Sequence, residues 1–522
     1  MTTTRIKDPI FFEISWSRLI SFVDEAAAAL VRTAFSPVIR EAEDYAVVLF
    51  DGRGRSLAQS TTSVPSFIGT LPNTMRHFQQ AMKEEGWHPG DVVITNDPWM
   101  GSGHLQDISM VMPIFSKAGK LVAYSGVVAH PSDMGGRWSA ENREIYEDGL
   151  QIPICKLMRA GKPNKDVFAF IERNVRVPHL VIGDVHAMIA SCAVAGERVN
   201  AFLEETGLDG LDDLAEAIHD FSESAMRASI AAIPDGVFRY EYQIDGYDSP
   251  LKIAAKLTIS GDSIAMDYAG SSMQIGRAIN CPWVYTNAFT VYPLKCAINP
   301  GVPNNEGMMR PFTVTAPEGS LLNPKHPAAV GARNLTGHLL TSAVFGTLAQ
   351  AIPKDDVAGR LLADGASPRP HIVISGTDDQ GKAFSSTMFI MGGLGARPDK
   401  DGIACIAFPS TTRNTSIEVL ETSAPILIER KSIRENSGGT GKFRGGDGQV
   451  FSLRVLARDG ATASIFSDRS RFPPEGMNGG AAALGTEIRI NDGPAPLKGT
   501  TRLKQGDVLT IKSPGGGGYG AP

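Results

Sequence analysis

The chain opens on a helical rhythm. Ile14, Leu19, Ile20, Val23, Ala27, Leu30 and Val31 recur at three- and four-residue spacing, which predicts an amphipathic helix over 12–34. Ser36-Pro37 ends it, because a residue before proline is pushed out of the helical region. The period then shortens. "YAVVLFDGRGR" reads as a strand from Tyr45 to Phe50 entering a glycine turn, residues 73–85 as a helix, and "DVVIT" (91–95) as a second strand. Two β-favouring runs, "ISMVMPIF" and "LVAYSGVVAH", flank "SKAGK" and predict a β-hairpin turning at Ala118-Gly119. Helices are predicted within 165–175, at 184–201 and at 210–231, the last stopped by Pro234-Asp235-Gly236.

Beyond Gly236 the texture changes. "FRYEYQIDG" and "LKIAAKLTISGDSIAMDYAG" alternate as strands, helices return at 282–297 and 333–351, and after 370 strands and turns dominate. Examples are "HIVISGTDDQGKAF", "VFSLRVLAR", "ASIFSD", "TEIRIND" and "VLTIKSP", set among dense glycines. The pattern predicts an α+β protein: a mixed N-terminal half with a β-hairpin, and a β-rich, Gly-rich C-terminal half. Three regions follow: 1–235, 236–370 and 371–522.

Composition narrows this picture without redirecting it. With 42% apolar and 20% charged residues, the 522-residue chain is ordinary globular protein. A net charge of −6, with no Lys/Arg run, argues against nucleic acid as a partner. No uninterrupted apolar run reaches the ~18 residues of a membrane span. Asp8, Pro9 and Glu13 break up any signal-peptide core, so a cytoplasmic location is expected. Cys155, Cys192, Cys281, Cys296 and Cys405 show no C-x-x-C spacing and read as buried free thiols. Neither a P-loop nor a G-x-S-x-G elbow occurs. The glycines of "GGLGARPDKDG" (392–402) read as tight turns that let backbones approach closely.

The chemistry gathers at one end of the hairpin. "NDPWMGSGHLQDI" (96–108) sets His104 and Asp107 three residues apart. With Ala118-Gly119 as a two-residue turn, Lys117 faces Lys120 and Asp107 faces His130. Facing residues share one side of a sheet, with Cβ atoms about 4.5–5.5 Å apart. A three-residue loop with a glycine bulge would slip this register by one. Two imidazoles and a carboxylate suit a divalent transition metal and leave positions open for catalysis. Asp133, or the acidic cluster Glu41, Glu43 and Asp44, could complete the set.

Longer stretches carry a family likeness. "RTAFSPVIREAEDYAVVLFD", "GDVVITNDPWMGSGHLQDISMVMPIF", "VVAHPSDMGG", "GARNLTGH", "SIEVLETSAPILIERKSIRENSGGTGKFRGGDG" and "SPGGGGYG", in this order, resemble the hydantoinase B / oxoprolinase family. That family includes the B components of N-methylhydantoinases, and it is related to the alpha subunits of acetone and acetophenone carboxylases. The resemblance implies a metal site on this chain, with manganese expected and zinc or iron as alternatives. It also implies ATP and Mg bound by a separate hydantoinase A-type subunit, hence a hetero-oligomer. Carried onto this sequence, the metal ligands are Glu41, His104, Asp107 and His130. The pattern departs at Phe67 and Pro131, where many relatives carry histidine, or histidine or tryptophan.

The implied function is ATP-dependent opening of a cyclic amide such as a hydantoin or lactam. Asp133 or Glu43 is the expected base or imidazole-orienting group, and Arg137 the expected fork for a phosphate or carboxylate. A ketone carboxylase subunit and a non-catalytic scaffold are the alternatives.

Overall fold

The computed structural model describes residues 6–353 and 359–522. Its N-terminal part is built on a seven-stranded antiparallel sheet. The strands are β1 (Tyr45–Asp51), β2 (Ser56–Gln59), β3 (Val92–Thr95), β4 (Ile108–Phe115), β5 (Leu121–Ala129), β6 (Cys155–Arg159) and β7 (Lys162–Pro163). They lie in the order β2-β1-β5-β4-β3-β6-β7.

The unbroken apolar run of β1 has a simple cause: both faces of the sheet are covered. Tyr45, Val47 and Leu49 point into a core shared with the helices Pro9–Thr33 and Pro178–Thr206. Ala46, Val48 and Phe50 point into a second core under the helix Pro65–Ala81. That helix starts eight residues before the expected 73. Pro65 is tolerated in the first turn, and the stripe Phe67, Leu71, Met75 and Phe78 carries burial past Pro72. The Pro178–Thr206 helix contains an 18-residue stretch of mean hydropathy 1.4 and is long and apolar enough to cross a membrane. Here Val181, Val185, Met188, Cys192 and Phe202 are buried in the protein core.

The register of the hairpin places its strand ends. Ile108 pairs with Ala129, and this alignment holds to Ile114 with Ala123. The turn is not the expected two-residue one. Ser116 N–H donates to Lys120 O (2.8 Å), and Gly119 has φ +77°. That loop slips the pairing by one, so Phe115 meets Leu121, and an extra residue at Val122 restores it. Turn and bulge cancel, and Asp107 ends up beside His130.

The central region carries a four-stranded sheet, with Gly236–Ile244 at one edge and the parallel strand Phe312–Thr315 at the other. It packs with the helices Trp283–Ile298 and Leu340–Ala351. The helix expected over 333–351 is broken into Asn334–Gly337 and Leu340–Ala351. In the C-terminal region, sheets of four and five strands share a core of Ile372, Ile374, Phe451, Leu453, Ile465 and Ile511. This is sandwich packing.

Glycine-rich segments of this region pack against one another, and they are not tight turns. Gly393, Gly395, Gly445, Gly446 and Gly515–Gly518 all lack positive φ. Instead they pack main chain against main chain. Gly516 N–H donates to Gly446 O (2.9 Å), and Gly439 N–H donates to Gly516 O (2.9 Å). Gly517 N–H donates to Asp364 O (2.7 Å) while its carbonyl accepts from Ala396 N–H (2.9 Å). The five cysteines are free thiols; Cys192 and Cys281 are buried, and burial pushes both up to about 12.

Candidate metal centre

Three neighbouring strand ends build the centre. Asp107 precedes β4 and His130 follows β5, so the Ile108–Ala129 pair brings them side by side. On the other flank Tyr45 pairs with Ala129, and His130 N–H donates to Asp44 O (3.1 Å). Asp44, His130 and Asp107 therefore stand in a row, and all three line one cavity of about 60 Å³.

His104 reaches the row from the loop before β4. Asn96 staples that loop: its amide donates to Leu105 O (2.7 Å) and Leu150 O (2.8 Å), and accepts from Ile152 N–H (2.6 Å). Asp97 caps the turn through Trp99 N–H (2.8 Å). Gly103 takes φ +96°, and a Cβ there would sit 2.6 Å from Arg333 Cδ. Only glycine allows the chain to turn past that arginine.

His104 Nε2 and His130 Nδ1 both stand 2.8 Å from Asp107 Oδ1. The His104 approach is close but not aligned as a hydrogen bond. The Nε2 atoms of both His104 and His130 are buried without a hydrogen-bond partner among the described residues. Buried polar atoms are rarely left this way. His104, Asp107 and His130 can each turn a ligand atom to a common point, all within 4.8 Å of one another.

The protonation states suit a cation. Burial, reinforced by Arg333, lowers His104 from 6.5 to about 4, which keeps its imidazole neutral. Gly331 O lies 3.2 Å from His104 Nδ1, so Nδ1 carries the proton and Nε2 the free lone pair. Burial alone would raise the Asp107 carboxyl, but His104 and Arg333 hold it well below the usual range. Its Oδ2 accepts from Ser102 Oγ and Arg333 Nη2, both at 2.6 Å, while Oδ1 faces the two imidazoles and hydrogen-bonds His130 Nδ1 (2.8 Å). The donor set fits a divalent transition metal.

The other expected site residues lie elsewhere. Glu41 is 3.7 Å from Arg40 and lines a separate cavity of about 500 Å³. The acidic group at the centre is instead Asp44, whose carboxyl burial pushes up against the pull of His130. Glu43 has φ +53° and pairs with Arg413 (2.9 Å). Asp133, expected as a base or imidazole-orienting group, is paired with Arg176 (2.6 Å). Arg137 bonds Asn142 Oδ1 (2.9 Å) and leans toward Glu147 (3.5 Å). Asp133 and Arg137 line a pocket of about 270 Å³ on the far side of Trp138, whose ring borders both spaces.

The remaining walls come from distant parts of the chain. Tyr285, Arg333 and His338 arrive from the central region, Arg369 from its end just before the sandwich, and His371 and Phe389 from the sandwich. Phe67, where the chain departs from the family pattern, is also in the wall. Tyr285 Oη lies 3.1 Å from His338 Nε2, and Arg333 stacks 3.9 Å over the Tyr285 ring. His371 lies flat on Phe466 at 4.4 Å. Burial holds His338 and His371 well below the usual range, so both are neutral. Spacing in the sequence did not single these residues out. Arg333 and His338 do fall within "GARNLTGH", one of the stretches that carry the family likeness.

Comparison with known proteins places the whole chain. Residues 8–522 match the family model described as Hydantoinase B/oxoprolinase. A Pseudomonas sp. (strain NS671) protein, named as the B component of a "Putative D-/L-hydantoinase", is 30% identical over 99% of this chain and 90% of its own. The Dictyostelium discoideum 5-oxoprolinase is 27% identical, and the match covers 41% of that longer protein. Among solved structures, an ATP-dependent caprolactamase from Pseudomonas jessenii aligns with TM-score 0.88 and 27% identity, over 99% of this chain and 91% of that one. An acetone carboxylase in its nucleotide-free form shares the fold, with TM-score 0.89 and 20% identity, over 99% and 76% of the two chains. A chain matched over nearly its full length, with this α+β architecture, belongs to the hydantoinase B/oxoprolinase family.

Proposed function

We propose that this chain is the metal-bearing subunit of an ATP-dependent amidohydrolase that opens a cyclic amide, such as a hydantoin or lactam, together with an ATP-binding A-type subunit. One observation carries the reading: the convergence of His104, Asp107 and His130, with buried imidazole nitrogens that lack partners. Hydantoinase and lactamase relatives at 27–30% identity favour ring opening over carboxylation. The acetone carboxylase, at 20%, supports the fold alone.

An amide carbonyl is a poor electrophile, and ATP-dependent phosphorylation of its oxygen on the partner would improve it. Overall, one water opens the ring C–N bond and a second ends in the phosphate released from ATP. When bound, a divalent ion supplies Lewis acidity at the reacting carbon and acidifies water. His104, Asp107 and His130 would hold that ion, with Asp44 beside them. Arg333 and Ser102 fix the Asp107 carboxylate from behind. Asp44 is the carboxylate placed to take and return a proton, a role expected from the sequence for Asp133 or Glu43. The neutral Tyr285–His338 pair lines the same space and can donate to a substrate oxygen.

Elemental analysis of the wild type and of the H104A/H130A double variant tests the centre. About one equivalent of manganese, zinc or iron is expected in the first and near none in the second. Equal metal in both would sink the reading. Co-expressed with the A-type subunit and given ATP and a hydantoin, the protein should release the open-chain N-carbamoyl amino acid. Incorporation of labelled bicarbonate would favour the carboxylase alternative.

A further inference from the structure

Two buried guanidiniums line the cavity, and the metal centre accounts for only one. Arg333 and Arg369 are 3% and 5% exposed. Arg333 has its carboxylate, with Nη2 2.6 Å from Asp107 Oδ2. The contacts of Arg369 are neutral. Its Nε donates to Ser410 Oγ at 3.1 Å, Nη2 donates to Thr412 Oγ1, and the Phe389 ring lies 3.9 Å beneath it. Among the described residues no carboxylate forms an ion pair with it. Burial lowers it to about 10, with Asp44 acting the other way, so it stays charged at neutral pH.

Charge and size then point to an anion. In the lining, Asp44 and Asp107 offset Arg333 and Arg369, while His104, His338 and His371 are neutral. A divalent cation on the triad adds two positive charges that no side chain of the lining balances. Uncompensated charge in a buried space is strongly unfavourable. The cavity measures about 60 Å³, and one water needs roughly 10–15 Å³ on that measure. That is room for the oxygens of one small oxyanion. A guanidinium anchored at Nε and one Nη, and flattened on an aromatic ring, is preorganised to present its remaining N–H groups to such a group.

We propose that Arg369 is the anion-binding residue of this centre, and that its ligand is the phosphoryl group which ATP-dependent activation places on the substrate oxygen. The assignment of that ligand rests on the function proposed above; the anion site itself does not. Ser410 and Thr412 set the fork, and Phe389 sets its plane. Substrate would thus be selected at its activated end.

Calorimetric titration tests this, with inorganic phosphate and methyl phosphate as probes against manganese-loaded protein. Wild type should bind saturably. Arg369→Gln should lose at least about tenfold in affinity at equal metal content, with Arg369→Lys, which keeps the charge without the fork, falling between. If the glutamine variant does not fold, as judged by circular dichroism, the lysine variant carries the comparison. Unchanged phosphate affinity in the variant would overturn the proposal, as would no binding to wild type. Binding of methyl phosphate assigns an esterified phosphoryl group; binding of inorganic phosphate alone overturns that source and leaves the released product as the ligand. If no metal is retained, the function proposed above fails by itself. The same titrations on metal-free protein still decide the anion site, because equal binding by wild type and variant would remove Arg369 from it.

Discussion

A neutral histidine buried in the folded state ties stability to pH. His104 falls from 6.5 to about 4, and His338 and His371 shift the same way. Between those values the unfolded chain binds protons that the folded chain does not. The stabilisation is therefore full above about 6.5 and is lost as pH falls toward 4. His104 alone accounts for on the order of 3 kcal/mol over that window. Urea titrations of metal-free protein between pH 7 and pH 4 should show a falling midpoint, and a flat profile would contradict the assignment. Gly103 is a second single-residue lever. Gly103→Ala meets Arg333 Cδ at 2.6 Å from a φ of +96°. It should cost at least about 2 kcal/mol in urea and lower metal content together.

At this scale the sequence was informative where chemistry and local geometry coincide. His104, Asp107 and His130 could be placed together because a three-residue spacing and one hairpin connect them. Glu41 is the expected upstream acid on family pattern alone, which does not say which way a side chain points. Strand register does: the pairing of Tyr45 with Ala129 brings Asp44 to His130. Tyr285, Arg369 and His371 had no such signal. They lie more than 150 residues from His130, and no periodicity links them to it.

Among elements, the hairpin shows that a right register can follow from a wrong turn. The glycine loop and the extra residue at Val122 slip in opposite senses, so the strand ends align although the tip differs. A tip that only closes the loop should be separable from the centre. At Gly119 a Cβ meets nothing within 4 Å, though φ is +77°. Gly119→Ala should therefore cost about 1 kcal/mol in urea and leave metal content unchanged. Metal loss in that variant would mean that the turn, and not only the pairing, sets the site. The strand Ile426–Arg434 escaped the pattern reading because, along the part from Glu429 to Arg434, no residue is fully buried and apolar alternation fades.

Across the whole molecule, the centre sits where three regions meet. The ends of the β4–β5 hairpin and the loop before it supply His104, Asp107 and His130, the two caps of the short helix Asn334–Gly337 supply Arg333 and His338, and the sandwich strand His371–Thr377 and the segment before it supply His371 and Arg369. The sandwich is held by side chains, such as Asp245 accepting from Ser470 and Arg471 N–H, and by main chain packed on main chain. A Cβ on Gly516 would lie 2.0 Å from Leu394 O, whereas one on Gly261, at an exposed turn, meets nothing within 4 Å. Gly516→Ala should lower the thermal midpoint sharply, by the equivalent of about 4 kcal/mol or more, and Gly261→Ala by about 1 kcal/mol. Similar midpoints for the two would show that the array tolerates expansion.

Gly515–Gly518 have a further consequence, for the order of assembly. Their neighbours are Asp364, Leu394–Ala396, Gly439, Gly446, Glu475–Met477 and Ala481, and every one of them precedes the glycines in the chain. During synthesis those partners must wait, side by side and incompletely bonded, for a segment made after all of them. The array works as a clasp that closes late. Until it closes, the segment around Asp364 is not yet tied to the C-terminal lattice through Gly517, so the centre should mature only after that lattice does.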